Sequence, residues 1–193
     1  MNSERLQPFK TSSIGAFLAR RRVALGAVMA IAALVLAHPT WSSWYAGLAV
    51  AVAGEGIRVW AAGHLEKSSE VTTSGPYGWM RHPLYVGSSV LALGIVIAAR
   101  SYVLAGLAVL YLGTTIPAAI RQEEAFLRRT FGSAYDRYAR GPSQNAAAVG
   151  GRKADTAARR FSLERAIRNK EYRAVLGMVA GFALLALRTM VHL

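Results

Sequence analysis

The chain has 193 residues, enough for one domain, and 53% of them are hydrophobic. Its 23 Lys and Arg outnumber its 10 Asp and Glu, and the charges lie in blocks between long apolar runs. That pattern is typical of a membrane protein with basic cytoplasmic segments and does not favour a nucleic-acid partner. The absence of Cys excludes disulfides, thiolate metal sites and a cysteine nucleophile, and no metal site is predicted.

Five apolar segments are predicted to be transmembrane helices, because a spanning helix needs roughly 20 apolar residues, or somewhat fewer with flanking residues that snorkel. They cover residues 23–37, 44–63, 84–99, 102–120 and 174–190. Only Arg100 and Ser101 separate the third segment from the fourth, which predicts a tight antiparallel hairpin. We therefore expect an all-α, integral membrane bundle of about five helices.

The distribution of Lys and Arg predicts the orientation of these helices. The N-terminal tail, the connection between the second and third segments and the stretch after the fourth segment are basic, whereas the opposite connections contain only Arg100. The positive-inside rule then places the N-terminus in the cytoplasm and the C-terminus outside. We expect a multi-pass protein of the bacterial inner membrane.

The chain divides into four predicted parts. Residues 1–22 form a basic cytoplasmic tail, 23–140 the membrane core, 141–158 a flexible linker rich in Ala, Gly, Ser and Asn, and 159–193 a basic helix with the final transmembrane helix. The basic run 159–173 has Leu163, Ala166 and Ile167 at helical spacing. It fits an interfacial helix on anionic lipid and, equally, a solvated charged helix.

Two charges lie inside the second apolar segment. Glu55 and Arg58 are three residues apart, so they share one helix face and can pair. Charges at membrane depth are costly and usually face the bundle interior. Either they line a polar cavity at a functional site, or they form a structural ion pair between helices.

A polar string precedes the third segment. It begins with a Gly75-Pro76 turn and continues through Tyr77 to His82 and Pro83. Proline suits the first turn of a helix and keeps the preceding residue out of helical geometry. His82 is therefore expected at a helix entrance, close to free backbone N–H groups that favour an anion, with Tyr85 in the first turn.

A second polar string follows the fourth segment. Glu123 and Glu124 are adjacent there, Arg121 precedes them, and Phe131-Gly132 follows. The glutamates could be solvated partners of nearby arginines, and Glu124 and Arg128 have the favourable i, i+4 order. If the two segments form a hairpin, however, His82 and the glutamates meet at its cytoplasmic end.

Together the two strings resemble the isoprenylcysteine carboxyl methyltransferase and phospholipid methyltransferase superfamily, over roughly residues 54–138. The resemblance implies S-adenosylmethionine bound at the cytoplasmic membrane edge and methyl transfer to a lipophilic acceptor, either a small molecule or a lipid. The cofactor-binding positions that it implies are His82, Pro83, Tyr85, Glu123 and Glu124. Tyr77 is a further cofactor-binding candidate on its chemistry, and the candidate catalytic residues are Arg58, Glu55 and Arg121.

These residue types suit that cofactor. A glutamate can accept a charge-assisted hydrogen bond from its ammonium group, and His82 and Tyr85 can hold its carboxylate. Tyr77 or Trp79 can face the sulfonium through a cation–π contact. Two departures from prenylcysteine methyltransferases, Ser69 in place of a histidine and Ala119 in place of an arginine, weaken that substrate more than they weaken methyl transfer.

Two other functions stay open at this point. One is an NADPH-dependent reductase of the sterol-reductase type, which shares a similar Arg-His-Pro-x-Tyr string, although the Glu123-Glu124 pair would repel a polyanionic cofactor. The other is a non-catalytic lipid-binding protein. The sequence does not distinguish a carboxylate acceptor from an amine acceptor, and it does not identify the acceptor.

The charge asymmetry makes a testable prediction about topology. A reporter fused after Tyr138 should report the cytoplasm and a reporter fused after Leu193 should report the outside, because the basic segments stay on the cytoplasmic side. Paired alkaline phosphatase and fluorescent protein fusions measure this. If both sites report the same side, the last apolar segment does not cross the membrane.

Overall fold

A computed structural model describes residues 13–66, 69–141 and 160–191, with side chains from Arg21 onward except at positions 22 and 23. The described residues form α-helices and one 3-10 turn, with no strand among them, which confirms the predicted all-α class. Residues 1–12 of the predicted basic tail, and residues 142–159, which contain the predicted linker apart from Gly141, lie outside the described residues.

Seven α-helices follow one another along the described chain. They are α1 (Ser13–Leu36), α2 (Trp41–His64), α3 (Pro83–Ala99), α4 (Tyr102–Phe131), α5 (Ser133–Arg140), α6 (Leu163–Arg168) and α7 (Tyr172–Val191). A 3-10 turn, Gly75–Gly78, precedes α3. Two helices, α4 and α7, are long and apolar enough to cross a membrane, while Ala24–Leu36 and α3 are apolar but shorter.

A seam of glycines joins α2 to α3, its main packing partner. A Cβ atom built on Gly54 would lie 2.8 Å from the Gly87 carbonyl oxygen, and one built on Gly94 would lie 2.6 Å from the Gly47 carbonyl oxygen. Gly47 and Gly54 are seven residues apart on α2, and Gly87 and Gly94 are seven apart on α3. The two backbones therefore touch at both levels along one antiparallel face. Small residues that allow close backbone approach are the usual basis of helix packing in membranes.

The connection between α3 and α4 is as short as predicted. Arg100 adopts left-handed geometry with φ of 50°, and the Ser101 side chain caps α4 by accepting from the Leu104 N–H at 3.3 Å. Beyond the turn the two helices take different partners, since α3 packs mainly on α2 and α4 mainly on α1. The hairpin is therefore splayed, which leaves space between α3 and α4.

The end of the bundle that contains this turn is tightly packed. A cluster of buried apolar residues fills it, including Ala37, Ala98, Leu104 and Phe182. Donors from other elements satisfy the free carbonyl groups at the helix ends, as buried backbone groups require. Arg188 of α7 donates to the Ala37 carbonyl at 2.7 Å.

The fourth helix is longer than the apolar segment that predicted it. It runs 30 residues, about 45 Å at 1.5 Å per residue, against a hydrocarbon core of about 30 Å. No Gly or Pro interrupts the chain between Ile120 and Gly132, so the helix continues through the glutamate pair. The second polar string is thus a helical extension, and Gly132, with φ of 52°, ends it before α5.

The glycine seam makes a prediction about stability. Gly54→Ala should lower the free energy of unfolding by about 1–3 kcal/mol, because the new methyl group would force α2 away from the α3 backbone. Gly56→Ala is the matched control, since a Cβ there meets no atom within 4 Å and alanine favours the helix. Thermal unfolding in detergent measures both, and equal effects would contradict the seam.

Candidate functional site

The two polar strings meet at the entrance of α3. His82 is the N-cap residue of α3 and Pro83 is its first helical residue, as the sequence predicted. The His82 Nε2 atom lies 3.3 Å from Glu124 Oε1 on the extension of α4. Residues 42 positions apart in sequence are therefore in contact.

The Glu124 carboxylate contacts three basic side chains. Besides His82, its carboxylate lies 3.3 Å from Arg81 Nη1 and 3.4 Å from Arg128 Nη2. The Arg81 and Arg128 side chains are 41% and 50% exposed, so these ion pairs contribute little to stability individually. Their effect is to fix the Glu124 carboxylate against the loop that carries His82.

Two buried tyrosines of α5 close this end of the molecule. The Tyr138 hydroxyl donates to the Tyr77 carbonyl oxygen at 2.7 Å, which ties α5 to the 3-10 turn. The Tyr135 ring lies under the Arg128 guanidinium, 5.7 Å from its centroid, in cation–π geometry. Burial raises the pKa of Tyr135 to about 12 and also raises the pKa values of Tyr77 and Tyr138. All three hydroxyls are therefore protonated at neutral pH and can donate.

A buried charge cluster lies deeper, on the wall formed by α2. Arg58 Nε is 3.4 Å from Glu55 Oε2, and Arg58 Nη2 is 2.5 Å from Glu171 Oε1. Arg58 also donates to the Ser88 hydroxyl of α3. Both glutamates are buried, and no hydrogen-bond donor among the described residues reaches Glu55 Oε1 in good geometry. One guanidinium is thus shared by two carboxylates.

A cavity of about 1450 Å³ connects the α3 entrance with the charge cluster. It occupies the space between the splayed helices α3 and α4 and also touches α1, α2 and α7. At the α3 entrance its lining is polar, with His82, Glu123 and Arg58. Away from that entrance the lining becomes apolar, and it includes Gly26, Ala27, Ala92, Leu112, Ile116 and Gly177.

The predicted site residues separate into two groups in the structure. Arg58, Tyr77, His82, Pro83, Tyr85 and Glu123 line the cavity. Glu55, Glu124 and Arg121 do not: Glu55 is buried behind Arg58, Glu124 faces the arginines at the rim, and Arg121 is exposed. Trp79 is 73% exposed and packs on Trp60, so of the two aromatic candidates only Tyr77 lines the cavity.

Sequence reasoning missed several cavity-lining charges, among them Glu66 and Glu70 after α2 and Glu171 and Arg173 farther along the chain. Glu171 directly precedes α7 and Arg173 lies in its first turn, in a run that appeared as a basic interfacial helix or a solvated one. Glu171 is 113 residues from Arg58, and no local periodicity links the two. A single acidic residue directly before an apolar span was the only available signal.

The described residues contain no group of three or more His, Asp or Glu side chains that could hold a metal ion. The polar lining of the cavity carries both signs of charge. Such a lining suits a zwitterionic ligand, or two ligands of which one is charged and the other apolar.

Comparisons with known proteins agree with the two-string pattern. The family model described as phospholipid methyltransferase matches residues 21–134, more than half of the chain. A protein-S-isoprenylcysteine O-methyltransferase of Schizosaccharomyces pombe is 33% identical over 90 residues, which cover 47% of this chain and 38% of that protein. No solved structure gives a significant match.

Two bacterial relatives carry names from metal resistance. A nickel-cobalt-cadmium resistance protein of Alcaligenes xylosoxydans xylosoxydans is 33% identical over 141 residues, covering 67% of this chain and 66% of that protein. A cobalt-zinc-cadmium resistance protein of Cupriavidus metallidurans is 31% identical over 127 residues, covering 60% and 59%. The chain spans less than two thirds of the length of each of these relatives.

The contact between Tyr138 and Tyr77 makes a prediction about this end of the site. Tyr138→Phe should lower the free energy of unfolding by about 1–3 kcal/mol, because the buried Tyr77 carbonyl loses its donor. Tyr102→Phe is the control, since Tyr102 is 96% exposed. Thermal unfolding of both variants in detergent decides, and a Tyr138→Phe variant as stable as the control would show that this hydrogen bond does not hold α5 in place.

Proposed function

The chain belongs to the phospholipid methyltransferase family, and we propose on that basis that it uses S-adenosylmethionine to methylate a lipophilic acceptor at the cytoplasmic membrane edge. Methyl transfer in general follows from the family and from the isoprenylcysteine methyltransferase relatives, which do not favour the reductase alternative. The cofactor, the acceptor class and the site residues are the proposal.

One observation carries the proposal: the two polar strings converge on a single cavity. His82, Pro83 and Tyr85 approach it from α3, and Glu123 approaches it from α4. Its volume of about 1450 Å³ exceeds the roughly 300–1,000 Å³ usual for small-molecule pockets. That size leaves room for a cofactor and for part of an acceptor at the same time.

The residues present fit S-adenosylmethionine. We assign the ammonium group to Glu123, because Glu123 lines the cavity whereas Glu124 is occupied by Arg81, His82 and Arg128. His82 and Tyr85 would hold the carboxylate, and the Tyr77 ring would face the sulfonium. The bound cofactor supplies an electrophilic methyl group, while the protein orients the acceptor and excludes water.

We propose that the apolar part of the cavity takes the hydrocarbon portion of the acceptor. Its lining on α3 reaches Ala92, nine residues or about 14 Å beyond Pro83. A chain bound there would present its polar end to Arg58 and to the cofactor site. A carboxylate acceptor needs no base, whereas an amine acceptor must first lose a proton. A test of the acceptor therefore needs one compound of each class.

We also propose a multi-pass inner-membrane topology with a cytoplasmic N-terminus, with 23–140 as the methyl-transfer core.

Helix α6 and its flanks would lie on anionic lipid. Phe161, Leu163 and Ile167 are 45%, 62% and 54% exposed, and Arg160, Arg168 and Lys170 surround them. Exposed apolar side chains among basic ones are typical of an interfacial segment.

The test of function is a methyl-transfer assay. Protein in nanodiscs that contain anionic lipid is incubated with methyl-tritiated S-adenosylmethionine and with either farnesylated cysteine or phosphatidylethanolamine. We expect radiolabel in the lipophilic product of one acceptor. Calorimetric titration with S-adenosylmethionine and with NADPH accompanies the assay, and binding of NADPH alone would favour the reductase.

Variants test the cofactor site. Glu123→Gln and His82→Ala should each weaken S-adenosylmethionine binding about ten- to a hundred-fold, because a charged hydrogen-bond partner contributes roughly 1.5–3 kcal/mol. The matched controls are Glu164→Gln and His38→Ala, whose side chains are exposed and lie away from the cavity. Wild-type affinity in both site variants would refute the assignment, and a loss in Glu124→Gln alone would transfer the ammonium to Glu124.

A further inference from the structure

The segment 160–171, which lies outside the region matched by the family, is docked on the cytoplasmic end of α2. The Asn169 side chain donates to the Ala62 and Leu65 carbonyl oxygens at 2.8 and 3.0 Å. Arg165 Nε donates to the Gly63 carbonyl oxygen at 2.8 Å. These groups are the otherwise unsatisfied carbonyls at a helix C-terminus, so the attachment is specific.

The turn between α6 and α7 fixes the position of Glu171. Lys170 adopts left-handed geometry with φ of 63°, and the Glu171 N–H donates to the Ala166 carbonyl at 3.1 Å. This is the hydrogen-bond pattern of a Schellman motif. The Glu171 carbonyl then accepts from the Ala174 N–H at 2.9 Å, at the start of α7. The backbone of Glu171 is therefore held on both sides.

Docking and turn together bring the Glu171 carboxylate to Arg58. The carboxylate is buried, lines the cavity and lies 2.5 Å from Arg58 Nη2. Arg58 crosses the glycine seam to reach Ser88, and a Cβ on Gly87 would lie 2.6 Å from Arg58 Cγ. The arginine side chain has several rotatable bonds, so its guanidinium keeps one orientation only where fixed partners hold it. A buried carboxylate is a strong partner of this kind.

We infer that Glu171 is a positioning residue that holds Arg58 toward the acceptor, so that the C-terminal segment 160–171 contributes this one residue to the methyl-transfer site. The inference rests on the proposed function and deepens it. It assigns a role in the reaction to a segment that the family match does not include.

The experiment compares Glu171→Gln with Glu164→Gln, an exposed glutamate of the same segment. For the acceptor that the wild type methylates, Glu171→Gln should lower kcat/KM about tenfold or more, with the Kd for S-adenosylmethionine within twofold of wild type. Glu164→Gln should leave both unchanged. A purely structural role would lower the melting temperature and the cofactor affinity together.

Double-mutant cycles then test the route of the effect. In an Arg58→Gln background Glu171→Gln should have less than a twofold further effect, because Glu171 acts through Arg58. If Arg58→Gln does not fold, Asn169→Ala replaces it: this variant loosens the docked segment, should lower kcat/KM alone, and should add little to Glu171→Gln.

The outcomes separate the inference from the function on which it rests. If the wild type methylates an acceptor and Glu171→Gln has normal kcat/KM, the positioning role is wrong and the proposed function stands. Fully additive effects in the double-mutant cycle that folds lead to the same conclusion. A wild type that methylates neither acceptor overturns both. Non-additive losses with unchanged cofactor affinity support the inference.

Discussion

The backbone contact between α2 and α3 is the constraint on which the rest of the structure depends. Because Gly47, Gly54, Gly87 and Gly94 let the two helices touch, the Arg58 side chain can cross α3 and reach Ser88. The same contact commits α3 to α2, so α4 must pack on α1 instead. The cavity is the space left by that division, and a seam of glycines therefore creates the site without contributing a side chain to it.

The bundle is tight at one end and open at the other, and both ends satisfy their helix termini with donors from distant parts of the chain. At the packed end Arg188 donates to the Ala37 carbonyl after α1, and the Ser43 hydroxyl donates to the Ala98 carbonyl of α3 at 3.1 Å. At the open end Arg165 and Asn169 donate to the carbonyl groups in the last turn of α2. Because these donors pair with carbonyls that the helices themselves leave free, the contacts fix the relative positions of the helices.

Much of this was predictable because it follows from local pattern. Apolar runs predicted α1, α2, α3, the first part of α4 and α7, and the placement of Pro83 predicted the helix entrance at His82. The resemblance to the family is confirmed by the match to residues 21–134. Which glutamate faces the cavity was not predictable, because adjacent helix positions point about 100° apart and the rotation of α4 depends on its contacts with α1. The partnership of Glu171 with Arg58 was equally hidden, since it depends on a turn at Lys170 and on docking to α2.

The charge cluster is hard to explain as a device for stability. Burying two carboxylates beside a partly buried guanidinium costs several kcal/mol for each buried ion, and well-packed apolar side chains of similar volume often stabilise a protein as well or better. The cluster nevertheless joins α2, α3 and the start of α7, and Arg58 and Glu171 both face the cavity. The Glu55 carboxylate, buried behind them, adds a second negative charge that holds the guanidinium from the other side. Charges that are expensive for folding and located on a cavity wall support the proposal that the cluster serves the ligand of that cavity.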